Sequence, residues 1–296
     1  GLVILMKMKG RKILNEDDNS VMIEVAAGEN WHELVTWAAE NNWGGVENLA
    51  LIPGTVGAAP VQNIAAYGQN FVDVCDSVEF RFWENNEFIW LPKKECNFGY
   101  RDSIFKHDLR GKGFVTKVRM SLNKHAKLET GYYSIHVKHE SLLAELAKTG
   151  KTEYEVKDVY EAVCNIRRRQ LPDWTVVPTA GSFFKNPLVT KAKLEELQQI
   201  IPELQFYPAD QLSYRQEQDS SFNSSEYVKV PAGRILDFLG WRGKMVGHCS
   251  TFPKHALVLT HDGQATGQEM LEYVQLLQND AREKLGIELE MEVVAF

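Results

Sequence analysis

The chain has 296 residues, 44% of them apolar and 25% charged, with a formal net charge of -7. This is the composition of a globular protein long enough for two domains, each burying its own core. The basic run Arg167–Arg169 is too short for a nucleic-acid-binding surface, and no apolar run reaches the roughly 20 residues of a membrane helix.

The cysteines are scattered and show neither CxxC nor His–Cys spacing; they are Cys75, Cys96, Cys164 and Cys249. We therefore expect reduced, mostly buried thiols in a cytoplasmic protein without a metal site. The chain opens at Gly1 without an initiating methionine, is already in a strand-like run, and shows no signal peptide.

The first elements follow from apolar periodicity. Runs rich in Val and Ile predict strands at Leu2–Leu5 and Val21–Ala26. Asn30 is placed to cap a helix that begins at Trp31 and ends before the Gly44–Gly45 pair.

The stretch Pro53–Gly68 has little side-chain bulk, because it is rich in glycine and alanine. Small residues let a backbone approach a flat or phosphorylated ligand closely, and amides at a helix start bind anions. A tightly packed turn in a core explains the same composition. The polar side chains favour a polar ligand, because buried amides need partners; they are Gln62, Asn63 and Tyr67.

Alternating runs at Ser77–Trp83 and Glu87–Leu91 predict a hairpin, and Phe114–Leu122 predicts a further strand. Arg101 lies between the hairpin and that strand. Its planar guanidinium is suited to holding a carboxylate at two points. The plainer alternative is an ion pair with Asp102 or another surface acid.

Helical spacing predicts helices at Glu155–Arg169, Lys191–Ile201 and Gln264–Leu285. Leu171–Asp173 ends the first of these, so we place the domain boundary between residues 171 and 172. A last strand is expected at Ile287–Ala295.

The second domain opens with Thr179–Pro187, which places a hydroxyl, an ammonium and an amide around two aromatic rings. An extended backbone would put Ser182, Phe184 and Asn186 on one face and Phe183 and Lys185 on the other. This arrangement fits a pocket for a polar ligand, or simply a strand that enters a core.

Three stretches carry a resemblance to a known family: Thr179–Pro187, Ile52–Gly68 and Phe98–Ser103, joined by the C-terminal Leu289–Val293. They resemble, in the same order, the UDP-N-acetylenolpyruvoylglucosamine reductase (MurB) family of flavoenzymes. The resemblance implies an α+β fold. An FAD-binding domain of the type shared with vanillyl-alcohol oxidase spans residues 1–171, and a smaller α+β substrate-binding domain spans residues 172–296. The last strand of the second domain would return Glu292 to the active site.

The implied reaction reduces UDP-N-acetylglucosamine enolpyruvate to UDP-N-acetylmuramate for the bacterial cell wall. NADPH delivers hydride through FAD to C3 of the enolpyruvyl group, and C2 takes a proton. By the same resemblance Ser182 donates that proton, while Arg101 and Glu292 act at the enolpyruvyl carboxylate. The small-molecule substrate is the expected partner of a monomer that binds neither nucleic acid nor membrane.

The resemblance also implies binding residues. The FAD contacts are Pro53, Gly54, Thr55, Gly57, Ala58, Gln62, Asn63, Ala66, Tyr67 and Gly68. The substrate contacts are Tyr132, Lys185, Asn186, Tyr207 and His255, with Tyr133 as the alternative to Tyr132.

Several positions depart from the family. Gln170 stands where a lysine is common, so a diphosphate contact would pass to Lys185 or Arg169, or become a hydrogen bond. His255 replaces a glutamine, and Val294 replaces an arginine. The family also carries an upstream Gly-rich phosphate-binding turn, and without it we expect weaker FAD binding. A different flavin oxidoreductase of the same superfamily and a non-catalytic UDP-sugar- or FAD-binding module are the alternatives.

Overall fold

The computed structural model describes residues 3–131, 141–209 and 223–295. Contacts divide the chain into two compact units, and the division within the helix Val156–Gln170 falls between Ile166 and Arg167. The domain boundary at residues 171 and 172 stays a prediction. Each unit is described by itself.

The first unit is built on a five-stranded antiparallel sheet with the order β1-β2-β7-β5-β6. A two-strand hairpin, β3-β4, stands beside it. The strands are β1 (Arg11–Glu16), β2 (Ser20–Ala26), β3 (Ala65–Ala66), β4 (Gln69–Asn70), β5 (Cys75–Phe82), β6 (Phe88–Pro92) and β7 (Gly113–Asn123). The helices are α1 (Trp31–Glu40), α2 (Phe71–Val74), α3 (Leu142–Ala147) and α4 (Val156–Gln170).

Strand β2 shows why the sheet has a buried face. Val21, Ile23 and Val25 are all 0% exposed, and their period-two spacing turns them to the same side. Helix α1 begins where Asn30 accepts a hydrogen bond from the Glu33 amide, as predicted. The apolar face of α1 joins the β2 side chains in a single core, so hydrophobic burial ties the helix to the sheet.

The second unit contains a four-stranded sheet, β12-β13-β14-β8, and a three-stranded sheet, β10-β11-β9. The strands are β8 (Thr179–Ser182), β9 (Leu188–Thr190), β10 (Tyr207–Pro208), β11 (Tyr227–Lys229), β12 (Met245–Val246), β13 (Cys249–Phe252) and β14 (His255–His261). The helices are α5 (Lys191–Ile200), α6 (Ala232–Phe238) and α7 (Gly267–Leu285).

Helix α7 starts later than the predicted Gln264, because Thr266 and Glu269 form a reciprocal capping box. It ends at Gly286, which adopts a left-handed conformation. Its buried face packs into the second unit's core with β13 and β14. The apolar stripe is therefore core packing.

Two predicted strands are wrong. Residues 3–5 of the predicted strand Leu2–Leu5 form no strand, and Val3 is 90% exposed. Ile287–Ala295 is also not a regular strand, because its pairing with Phe184 amounts to one isolated bridge at Met291. An apolar run forms a strand only where a neighbouring backbone pairs with it, and local sequence does not encode that partner.

All four cysteines are buried and form no disulfide, as predicted. Burial raises the pKa of Cys75 to about 12, so its thiol stays protonated and unreactive near neutral pH. Among the described residues, no helix combines the length and apolar character needed to cross a bilayer. That part of the chain also holds no group of three His, Cys, Asp or Glu side chains placed for a metal.

Candidate active site

The stretch Pro53–Gly68 is partly exposed and partly buried, and its glycines are used in different ways. Gly54 is exposed and has a φ of +119°, which side chains with a Cβ rarely adopt. Gly57 instead packs against the end of β2, where an added Cβ would lie 2.5 Å from the Cβ of Ala27. Gly57 therefore serves close packing, whereas Gly54 leaves open space.

The exposed residues of this stretch leave room for a flat, phosphorylated cofactor such as FAD. Pro53, Gly54, Ala58 and Gly68 are all exposed, and nothing lies within 4 Å of a Cβ position on Gly54. A ligand can therefore reach the backbone there without meeting a side chain. The remaining predicted FAD contacts except Asn63 are half-buried; they are Thr55, Gly57, Gln62, Ala66 and Tyr67.

Asn63 differs from its neighbours, because it is only 1% exposed. Its Nδ2 donates to the carbonyl of Gly99 at 3.0 Å, and its Oδ1 accepts from the amide of Val72 at 2.9 Å. The partner that a buried amide requires is thus supplied by the protein backbone.

Asn48 holds the end of the same stretch and was not singled out from the sequence. Its Nδ2 donates to the carbonyls of Tyr67 and Glu129 at 2.7 and 2.8 Å. This brings Gly68 so close to Glu129 that an added Cβ would lie 2.7 Å from the Glu129 Cγ. The predicted uridine-side Tyr132 and its alternative Tyr133 lie outside the described residues.

Arg101 occupies the tip of a tight turn, closed by a backbone bridge between Gly99 and Asp102. Its φ is +55°, which is uncommon for a residue other than glycine. The guanidinium donates from Nη2 to the carbonyl of Ala65 at 3.1 Å and lies 5.5 Å from the centre of the Tyr100 ring. Arg101 therefore lies directly beside the stretch Pro53–Gly68, which we call the predicted FAD segment.

Asp102, the acid next to Arg101, is hydrogen-bonded to its neighbours along the chain. Asp102 is buried, and its Oδ1 lies 2.8 Å from His107 Nε2 and accepts from the Ser103 amide at 3.1 Å. These bonds orient the buried Asp102 carboxylate.

Ser182 ends strand β8 in the second unit, where it pairs with Val258 and is exposed. The residues that follow do not alternate faces as predicted. Phe183 and Phe184 are 4% and 1% exposed, and their ring centres are 5.6 Å apart in the same core. The regular strand stops at Ser182, so the period-two rule no longer applies beyond it.

The C-terminal segment returns to this loop. The Glu292 amide donates to the carbonyl of Phe183 at 2.8 Å, and the Lys185 amide donates to the carbonyl of Glu290 at 2.9 Å. Glu292 is half-buried. The backbone of Glu292 is therefore hydrogen-bonded to Phe183, the residue that follows Ser182. Glu292 and Ser182 are both predicted catalytic residues.

Two of the predicted substrate contacts are engaged within the second unit. Lys185 Nζ pairs with Glu290 Oε1 at 2.6 Å, with the Lys185 side chain 11% exposed. The Oδ1 of Asn186 accepts from the amide of Ala232, the first residue of α6, at 3.1 Å. Asn186 thus takes part in capping a helix, a role that its sequence context does not announce.

The other predicted substrate contacts stand at strand positions. Tyr207 opens β10 opposite Lys229, and His255 opens β14 opposite Phe252. Lys254, just before His255, donates from Nζ to the carbonyl of Arg169 at 2.8 Å. A lysine is therefore placed one residue from Gln170, where sequence analysis considered only Lys185 and Arg169.

Comparisons with family models define the class of protein. An FAD-binding domain model matches residues 1–89, and the model "UDP-N-acetylenolpyruvoylglucosamine reductase, C-terminal domain" matches residues 172–296. The class is therefore a flavoprotein with a second domain that is characteristic of the reductase. These matches confirm the predicted α+β fold class and the predicted FAD cofactor.

Individual relatives identify the family. UDP-N-acetylenolpyruvoylglucosamine reductases of Flavobacterium johnsoniae and Chromobacterium violaceum are each 40% identical to this chain; the matches cover 99% of it and 81% and 80% of the relatives. The chain belongs to the UDP-N-acetylenolpyruvoylglucosamine reductase family, which confirms the predicted resemblance. The crystal structure of the Thermus caldophilus enzyme shares the fold, with a TM-score of 0.58 and 24% identity over 92% of this chain and 72% of that one.

Proposed function

We propose that this chain catalyses the NADPH-dependent reduction of UDP-N-acetylglucosamine enolpyruvate to UDP-N-acetylmuramate, with FAD as cofactor. The observation that carries the proposal is that Ser182 and the segment bearing Glu292 lie next to each other. Ser182 is exposed at the end of strand β8, and the C-terminal segment bearing Glu292 is hydrogen-bonded to the next residue. Membership of the reductase family supplies the reaction that such a pair serves.

FAD, when bound and reduced by NADPH, would supply the hydride that reduces the enolpyruvyl double bond. The exposed backbone of Pro53, Gly54, Ala58 and Gly68 would hold it in the first unit. The protein's own task is to orient the substrate and to stabilise the charge that develops as the double bond is reduced.

Arg101 is proposed to bind the enolpyruvyl carboxylate. A guanidinium presents two parallel N–H groups that match the two oxygens of a carboxylate. Negative charge grows toward that carboxylate when hydride arrives at C3, so a fixed cation there favours the transition state over the bound substrate. The hydrogen bond from Arg101 to Ala65 limits the directions in which the guanidinium can point.

Ser182 is proposed to donate the proton that C2 receives. A serine hydroxyl is a weak acid, so it transfers a proton only to a centre with nearly full carbanion or enolate character. Its exposure at the strand end leaves the hydroxyl accessible to a ligand. Glu292 is proposed to act at the same end of the substrate, where a carboxylate helps a developing negative charge only if it is protonated or hydrogen-bonded.

The substrate shell is proposed to comprise Tyr132, Lys185, Asn186, Tyr207 and His255. The remaining elements of the proposal are a monomer in the cytoplasm, with this small molecule as partner and with neither nucleic acid nor membrane bound. Peptidoglycan precursor synthesis is the process that the reaction serves.

The test is a pair of half-reactions followed by absorbance in the flavin bands. Protein loaded with FAD should lose its absorbance when NADPH is added without oxygen, and regain it when the enolpyruvyl substrate follows. Bleaching without recovery would favour a flavin oxidoreductase with a different substrate. A protein that binds UDP or FAD but shows neither change would be a binding module.

A further inference from the structure

The turn that carries Arg101 adopts an unfavourable backbone conformation. Arg101 has a φ of +55°, although nothing in its covalent structure favours the left-handed region. Such a residue keeps this conformation only where surrounding contacts determine it. The contacts that hold the turn therefore show what the fold is organised to position.

Side-chain hydrogen bonds fasten the turn to the predicted FAD segment. Ser103 Oγ donates to the carbonyl of Val61 at 2.6 Å, and Ser103 is 0% exposed. Asn63 Nδ2 donates to the carbonyl of Gly99 on the other side of the turn at 3.0 Å. One bond thus lies on each side of Arg101, and the residue that donates each bond is buried, where losing a partner is costly.

Asn63 also connects the turn to the rest of the first unit. Its Oδ1 accepts from Val72 in helix α2, and its own φ is +46°. Asparagine tolerates this region better than most residues, because its short side chain bonds to nearby backbone. The amide thus bridges the FAD segment, the Arg101 turn and α2.

We infer that Asn63 and Ser103 are positioning residues that hold Arg101 in its binding direction and thereby set the affinity for the enolpyruvyl carboxylate. The inference rests on the proposed function, because Arg101 has a carboxylate to bind only if that substrate is used. It assigns Asn63 to the substrate side of the reaction, although Asn63 lies within the segment predicted to contact FAD.

A purely structural role predicts a different pattern of effects. If these bonds served only folding, their loss would lower the melting temperature and leave the Michaelis constant of the folded enzyme unchanged. If Asn63 served FAD, its replacement would weaken FAD binding first. Positioning of Arg101 instead raises KM for the enolpyruvyl substrate while FAD binding and NADPH-driven bleaching keep their wild-type values.

The experiment uses Ser103→Ala as the main variant, because it removes one hydroxyl and introduces no charge. Losing a buried hydrogen bond that orients a binding group is expected to raise KM about tenfold. Asn63→Asp is the second variant, since it keeps the acceptor for Val72 but loses the donor to Gly99. Thr116→Val is the matched control, because Thr116 is a buried hydroxyl of the same unit that bonds to Glu79.

A double-mutant cycle with Arg101→Ala gives the decisive measurement. If Ser103 acts through Arg101, then Ser103→Ala raises KM in the wild-type background and has no further effect once Arg101 is removed. FAD affinity is measured in parallel by fluorescence titration, and folding by thermal melting.

The inference is overturned if the KM increase is the same in both backgrounds, if Thr116→Val raises KM as much, or if FAD affinity falls in step with KM. It is also overturned if both variants fold and keep the wild-type KM. Failure of the proposed function looks different, because the wild-type protein would then bleach with NADPH but not turn over the enolpyruvyl substrate.

Discussion

The candidate catalytic residues of the two units are held in place by different kinds of bonds. The Arg101 turn of the first unit depends on buried side chains, Asn63 and Ser103, that bond to backbone carbonyls. In the second unit, Ser182 and Phe183 are placed by backbone bonds, to β14 on one side and to the C-terminal segment on the other, and the side chains of Lys185 and Asn186 bond further along the loop.

The two regions therefore differ in what a side-chain substitution changes: the reacting group in one, and the position of that group in the other. Any residue can make the backbone bonds that place Ser182, so replacing its side chain removes the hydroxyl and leaves the loop intact. The position of Arg101 depends on side chains elsewhere in the sequence, so the site can be damaged without touching Arg101. We therefore expect substitutions in the two regions to fail in different ways.

The largest effect is expected for Ser182→Ala. Loss of a general acid slows the proton-transfer step by roughly 100- to 10,000-fold. Recovery of the flavin absorbance on adding the enolpyruvyl substrate should slow by this factor, while bleaching by NADPH keeps its wild-type rate. Rapid-mixing absorbance measures both steps. Equal slowing of the two, or a lowered melting temperature, would show that Ser182 supports the loop instead.

The next largest effect is expected for Arg101→Lys, which keeps the charge and loses the two-point fork. Hydrogen bonds to charged groups are worth about 1.5–3 kcal/mol, so kcat/KM should fall by about 10- to 150-fold. A substrate ester that lacks the carboxylate charge serves as the comparison. If the variant loses as much activity on the ester as on the acid, the carboxylate is bound elsewhere.

Much of the fold was predictable because apolar periodicity is local. The spacing of Val21, Ile23 and Val25 predicted β2, and the stripe along Gln264–Leu285 predicted α7. The exposed, polar strand Arg11–Glu16 was missed, because all its side chains face solvent and only pairing with β2 makes it a strand. For the same reason Ile287–Ala295 was wrongly predicted as a strand.

The candidate site was predictable in its residues but not in its bonds. The segments around Gly54, Arg101 and Ser182 resemble a family, so they could be named from sequence. Arg101 has a positive φ, and the hydrogen bonds that support its turn join residues up to 42 positions apart. No sequence pattern distinguishes a buried amide that meets a ligand from one that meets a carbonyl, as Asn63 shows.

The stability of the two units offers a second comparison, between a buried ion pair in the first unit and an exposed one in the second. In the first unit, Arg119 donates from Nε and Nη2 to Glu24 Oε2 at 2.9 and 2.8 Å and lies 3.8 Å from the Trp90 ring centre. The side chain of Glu24 is only 7% exposed. Burial raises the pKa of Glu24, but hydrogen bonds from Arg119 and Lys12 outweigh it and bring the pKa below its ordinary value.

Arg119→Ala leaves the Glu24 charge buried with weaker partners, so we expect a loss of about 2 kcal/mol in the free energy of unfolding. Arg282→Ala in the second unit is the matched control. Arg282 makes a similar two-point contact with Glu288, but both side chains are exposed, so its loss should change stability far less. Denaturant unfolding compares the two, and equal losses would contradict the explanation by burial.

The smallest effect is a pH dependence at the edge of the second unit. His248 Nδ1 lies 2.8 Å from Asp262 Oδ2, and both side chains are partly exposed. The bond to Asp262, aided by the charges of Asp262 and Glu269, raises the pKa of His248 above its ordinary 6.5. The same bond lowers the pKa of Asp262 below its ordinary 3.8.

The raised pKa of His248 and the lowered pKa of Asp262 determine how stability changes with pH. A raised histidine pKa contributes stability that is complete below the unfolded pKa and lost as the pH rises through the folded pKa. A lowered aspartate pKa contributes stability above the unfolded pKa and loses it as the pH falls through the folded pKa. The difference in melting temperature between wild type and His248→Gln should therefore be largest between the ordinary pKa values of aspartate and histidine and decline as the pH rises above the histidine range. Asp262→Asn should show the same profile, and a difference that grows toward alkaline pH would refute the pairing of these two side chains as its cause.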